Sequence, residues 1–180
     1  MAGLDTYRRC NDVVETVIVG ITGLLVAAIV LLPFVGTVIR FATGEGYTWI
    51  AESPPQLVPW VVFPLIGVLL RHDRHIAVDV VPHFLRGRPL ALLRAAVLLI
   101  SLLAAIAFAA FGANTAALFK ALGQISTTEL EFPLWYLYVS YPLGFILAAN
   151  FCLEALLCEL AGRRSVHHDP LDLNLPPAAE

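Results

Sequence analysis

Four uncharged apolar runs set the pattern of this chain: residues 16–39, 57–70, 95–119 and 132–153. Charged and polar residues collect between them. A helix of about 20 apolar residues crosses the hydrocarbon core of a bilayer. The first, third and fourth runs reach that length alone. The second does so only by extending back to Tyr47 through "YTWIAESPPQL". That extension places Glu52 near an interface and Pro54 and Pro55 in the first turns, where a missing backbone donor has no partner to lose. The pattern predicts an all-α membrane protein of four transmembrane helices, at about 14–40, 48–70, 92–119 and 132–158. Residues 1–162 then form one four-helix transmembrane domain, whose first residues, 1–12, are a short polar arm at the cytoplasmic interface. Residues 163–180, "RRSVHHDPLDLNLPPAAE", are polar and Pro-containing and are expected to be a disordered tail.

Within the runs, Ala105, Ala109 and Ala113 share one face of the third helix. Small residues there let backbones approach closely in lipid, where packing replaces the hydrophobic drive. Ala110 and Asn114 extend a neighbouring stripe, and Asn114 is expected to find a hydrogen-bond partner. Pro142 falls inside the fourth run, removes a backbone bond to Tyr138 and is expected to kink the helix. Trp135, Tyr136, Tyr138 and Tyr141 crowd its outer end as an aromatic belt.

With 59% hydrophobic and 14% charged residues, the chain is too apolar for a soluble domain. The net charge of −3 hides an asymmetry that orients it. Arg8 and Arg9 precede the first helix; Arg71, Arg74, Arg86, Arg88 and Arg94 lie between the second and third; Arg163 and Arg164 follow the fourth. Arg40 and Lys120 stand on the other side, with Glu45, Glu52, Glu129 and Glu131. The positive-inside rule puts both termini and the central connection in the cytoplasm; an even number of spans agrees, since it requires both ends on one side. Nothing in this distribution suits nucleic acid. The start, "MAGLDTYRRCNDVVE", is polar for too long to be a cleaved signal peptide. Cys10, Cys152 and Cys158 share no metal or disulfide spacing, and the latter two read as small apolar filler.

The chemistry-bearing stretch is "RHDRHIAVDVVPHF", Arg71 to Phe84. On a helix His72, His75 and Asp79 would share one face, as zinc ligands could. Pro82 takes His83 out of that register, and neither a cysteine nor a supporting carboxylate lies near. Ile76, Val80 and Phe84 form an apolar arc beside the polar face, so the reading favoured is a short amphipathic cytoplasmic segment on the membrane surface. No histidine falls inside an apolar run, which argues against haem held between helices. The spans also lack mid-membrane ionisable groups with which to bind a charged substrate. The chain therefore reads as a non-enzyme without metal or cofactor that works beside a partner subunit.

Other stretches carry a resemblance. "IRFATGEGYTWIAE" followed by "WVVFPLIGVLLRHDRHIAVDVV", and later "FPLWYLYVSYPLGFILAA", resemble the small, DctQ-type membrane subunit of tripartite ATP-independent periplasmic (TRAP) transporters. Arg40, Trp49 and Glu52 match the family's Arg, Trp and Glu around the first connection. Gly67 and the run His75 to Asp79 match the end of its second helix and the "HI-x-VD" segment. Pro142, Leu143 and Gly144 match its proline-bearing fourth helix. Pro64 departs from the family pattern and is expected to bend the second helix.

The resemblance implies a bacterial inner-membrane subunit that scaffolds a large membrane subunit. The large subunit would perform sodium-coupled uptake of an organic acid, delivered by a periplasmic binding protein. Arg40, Trp49, Glu52, His75, Asp79 and Pro142 are then expected to serve folding, interface anchoring among membrane lipids, or subunit contact. Glu45, Glu129 and Glu131, with Glu52, would form an acidic outer surface for docking the binding protein. Other readings stay open. They are the small subunit of a tripartite tricarboxylate transporter, the membrane anchor of a redox complex, and a scaffold protein with no transport partner.

Overall fold

The computed structural model describes residues 2–72 and 88–161. Helix α1 covers Ala2–Thr43, α2 Thr48–Arg71, α3 Arg88–Ala121, α4 Trp135–Tyr138 and α5 Ser140–Leu160. Four stretches are long and apolar enough to cross a membrane: Leu4–Thr43, Thr48–Arg71, Leu92–Ala121, and Trp135–Leu160, which joins α4 to α5. The chain is thus an all-α, multi-pass membrane protein. The "HIAVD" segment and the C-terminal tail lie outside the described residues.

One local expectation changes and another gains a position. The polar start is not a separate arm, because α1 begins at Ala2 and carries Tyr7, Asn11, Asp12 and Glu15 into the packed end of the molecule. As expected of a proline that cannot donate to the Tyr138 carbonyl, the interruption in the last span falls at Val139, which keeps a helical backbone (φ −66°, ψ −26°). Pro142 itself sits in the first turn of α5, buried, where its ring lies against α3.

Helix α2 holds four prolines: Pro54, Pro55, Pro59 and Pro64. The pair at 54 and 55 stands beyond the first turn, so these prolines do remove bonds that a helix would otherwise make. The helix continues through all four. Apolar burial and lipid leave the backbone few alternatives to helix.

The helices pack in a row. Helix α1 lies on α2, α2 on α5, and α5 on α3, whereas α1 and α3 share no packing seam. Glycines bring the middle pair together. A Cβ on Gly144 would lie 2.5 Å from the Phe63 carbonyl carbon and oxygen. One turn along both helices, a Cβ on Gly67 would lie 3.0 Å from the Ala148 nitrogen. Such backbone-to-backbone approach is what small residues permit in lipid. On α3, Ala105 and Ala116 are buried and Gly112 meets Pro142, so this seam runs through 105, 109, 112 and 116. Ala113, expected on it, is exposed, as is Asn114, which has no hydrogen-bond partner among the described residues. The 3.6-residue repeat moves the stripe from 109 to 112, not 113.

At the end carrying α4, aromatic rings pack inward as well as outward. Phe119 stacks on Tyr138 with centroids 4.1 Å apart, Phe63 meets Tyr141 at 3.8 Å, and Trp60 approaches Tyr136 at 5.6 Å. The Lys120 ammonium lies 5.2 Å from the Trp135 ring centroid, a cation–π distance.

The glycine contacts predict opposite outcomes on one protein. Gly144→Ala forces α2 and α5 apart and should cost about 1–3 kcal/mol. Gly20→Ala, at a position with nothing within 4 Å, should be neutral or stabilising by up to about 1 kcal/mol. Unfolding in detergent micelles followed by circular dichroism checks both; equal effects would contradict the close approach.

Candidate functional site: a charged junction of three helices

Each helix that meets at one end of the row brings a charged residue at the border of its apolar run. Helix α1 brings Asp12 and Glu15 with Asn11, α2 its last residue Arg71, and α5 Glu154, with Asn150 one turn before it. One turn deeper, Ile18, Val68 and Phe151 are buried together, with Val14, Leu65 and Leu147 around them. The apolar cluster fixes the helix register, and the same register stacks the polar residues above it.

Arg71 is the centre, with only 4% of its side chain exposed. Its Nη1 donates to Glu15 Oε2 at 2.5 Å. Its Nη2 donates to Asp12 Oδ1 at 2.6 Å and to Glu154 Oε1 at 3.0 Å. The guanidinium carbon stands 5.3 Å from the Phe151 ring centroid. Asn11 Nδ2 donates to the other Glu154 oxygen at 2.7 Å, and Asn150 Nδ2 donates to Asn11 Oδ1 at 2.9 Å. Tyr7 completes the chain by donating to Asn150 Oδ1 at 2.7 Å. At the margins, Arg8 Nε lies 3.8 Å from Glu154, and His72 Nε2 lies 2.6 Å from Glu15 Oε1.

This arrangement holds helices rather than substrate. A buried charge is tolerated only when paired and hydrogen-bonded. One planar guanidinium with several donors can serve three carboxylates from two helices at once, which a lysine ammonium cannot do with the same geometry. Asn11 and Glu154 are buried, so losing the arginine would leave Glu154 paired only with Asn11 and the distant Arg8. Among the described residues, no three His, Cys, Asp or Glu side chains form a group that could hold a metal ion.

The residues singled out from sequence lie elsewhere. Arg40 is in the last turn of α1 and Trp49 at the start of α2, both exposed. Glu52 reaches across to the other connection, where its Oε2 accepts the Glu129 backbone N–H at 2.8 Å. That connection is a small loop in which Ser126 N donates to Phe132 O and Leu134 N to Gln124 O. Glu131 sits there at φ 39°. Glu45, Glu129 and Glu131 are exposed; Glu45 lies between α1 and α2, Glu129 and Glu131 between α3 and α4. His75 and Asp79 lie outside the described residues.

The junction is not visible as a unit in the sequence. Glu15 and Glu154 border apolar runs and Arg71 opens the histidine-bearing segment, with nothing along the chain to link them. A signal was present: opposite charges border three different apolar runs on the same side of the membrane, and two asparagines accompany the carboxylates.

Removing one partner should therefore cost far more than removing the set. Arg71→Met is expected to destabilise by about 3–5 kcal/mol. Adding Glu15→Gln and Glu154→Gln to it should recover more than half of that loss. Asp12→Asn alone, at a half-exposed carboxylate, should cost no more than about 1 kcal/mol. Thermal unfolding of the four proteins in one detergent reads all of this.

No curated protein resembles the chain closely enough to count as a match. A family model does match, over residues 29–162, from the second half of α1 to beyond the end of α5, which is well over half of the chain. That model describes the DctQ component of tripartite ATP-independent periplasmic transporters, and the chain belongs to this family.

Proposed function

We propose that this chain is the small permease subunit of a TRAP transporter and acts as a fixed membrane scaffold. By this reading a large membrane subunit carries out sodium-coupled uptake of an organic acid. A periplasmic binding protein delivers the acid. The assembly sits in a bacterial inner membrane, with the charged junction and both termini cytoplasmic.

The observation that supports the scaffold reading is the row of helices with its junction. Between Glu15 and Arg40, Glu52 and Arg71, and Arg94 and Lys120, the spans hold no Asp, Glu, Lys, Arg or His, and the same is true from Trp135 to Leu153. The buried charges at the junction are consumed in internal pairing. Moving a charged solute requires polar groups at mid-membrane depth. A row offers instead two broad apolar faces, one for lipid and one for a partner. Arg40, Trp49, Glu52 and Pro142 take structural or interface-anchoring roles in this reading. His75 and Asp79 hold the central connection or contact the large subunit.

The test is affinity purification of the chain from a mild detergent extract of its native host. A large many-spanning protein should co-elute, and the pair should show no visible absorption band. Reconstituted with the binding protein, it should take up an organic acid down a sodium gradient. Elution of the chain alone, or with a haem-bearing partner, would overturn the proposal. Asp79→Asn should leave the complex assembled and its sodium stoichiometry unchanged.

The exposed carboxylates of the two outer connections give a second measurement. Glu45→Lys, Glu129→Lys and Glu131→Lys together should weaken docking of the binding protein at low salt, with less difference at high salt and no loss of subunit assembly. Unchanged docking would remove these residues from any such role.

A further inference from the structure

At the end of the row opposite the junction, α1 and α2 part around a cleft of about 450 Å³. Deeper along each helix its lining is apolar: Pro33 and Gly36 from α1, Ile50 and Ala51 from α2. Ile50 is buried, and a Cβ on Gly36 would lie 2.8 Å from its Cγ2, so the helices close tightly at this floor. Toward the helix ends the lining turns polar, with Thr37, Tyr47 and Arg40.

The Arg40 guanidinium has no ion-pair or hydrogen-bond partner among the described residues. Its stem is nevertheless supported. Gly44, at φ 77°, turns the chain back beside the helix end, and a Cβ on Gly46 would lie 3.5 Å from Arg40 Cδ. The nearest acidic residue in sequence, Glu45, forms its hydrogen bonds through its backbone to the Thr43 hydroxyl, and no carboxylate lines the cleft. The uncharged run of α1 ends at residue 39, so the guanidinium stands where hydrocarbon gives way to headgroups.

The geometry points to a phospholipid site here: Arg40 takes the phosphate oxygens while the glycerol and first acyl carbons lie over the Pro33–Gly36–Ile50 floor. A guanidinium binds phosphate through parallel charge-assisted hydrogen bonds, and a supported stem loses less freedom on binding. The lining offers no acid to an ammonium headgroup. An anionic lipid such as phosphatidylglycerol is therefore the occupant, in preference to phosphatidylcholine.

Native mass spectrometry of the full chain, released from detergent containing equal phosphatidylglycerol and phosphatidylcholine, tests this. One phosphatidylglycerol should be retained over phosphatidylcholine by about tenfold. Arg40→Gln should abolish the preference. Thr37→Trp, which fills the cleft and leaves Arg40 in place, should abolish it too, with helix content unchanged in both variants. Equal retention of the two lipids by the natural chain would overturn the site, as would a preference that survives Arg40→Gln. A preference lost in Arg40→Gln but kept in Thr37→Trp would mean surface attraction without a cleft, and would also overturn it. So would crosslinking from Thr37→Cys to a protein partner that displaces the lipid from the purified complex.

Discussion

A guanidinium withdrawn from water must be paired, and nearly everything at one end of this molecule follows from that. Arg71 ends α2, and its three carboxylates come from α1 and α5. Helix α1 must therefore run on past its apolar stretch to bring Asp12 and Glu15 level with it. Helix α5 must present Glu154 on the face where Phe151 is already buried. The pairing gives little net stabilisation compared with an apolar replacement of the same shape. Its effect is on choice: other registers of the three helices leave a buried charge alone. In a medium where apolar surfaces do not drive helices together, such a penalty specifies an arrangement that packing alone would leave loose.

Packing then sets the distances that the charges cannot. Gly67 and Gly144 face the opposite helix one turn apart, so α2 and α5 touch through backbone rather than side chains. The aromatic contacts at the far end, Phe63 with Tyr141 and Phe119 with Tyr138, join α2 and α3 to the span formed by α4 and α5. The Glu52 bond to the Glu129 backbone ties the start of α2 to the loop between α3 and α4. Helix α1 is held by the junction at one end and by Ile50 against Gly36 near the other.

The four spans were legible because hydrocarbon thickness imposes a length that composition alone reveals, and the family because short motifs kept their order around those spans. The contact face of α3 was half legible. Ala105 and Ala109 belong to it, but a strict four-residue step leads to Ala113, whereas the helix turns the seam to Gly112 and Ala116. The junction was not legible as a unit. Asp12, Glu15, Arg71 and Glu154 each sit at a run boundary, where a charged residue ordinarily meets water, and only the three-dimensional register shows that three helices bring theirs to one point. Pro142 was read as a kink because its sequence position says only that a donor is missing. Its ring against Gly112 makes it equally a packing surface.

The row of helices has a consequence for how such a chain can vary. A closed bundle hides a core from its surroundings, so most substitutions on its outer surface are free. A wall one helix thick has almost no inside. Apart from the seams between neighbours, each residue belongs to one side or the other. Where lipid covers a side, any apolar volume will serve; where protein covers it, shape is held fixed. Sequence drift in this chain should therefore divide by side rather than by depth, and the side that resists change marks where the neighbouring protein stands.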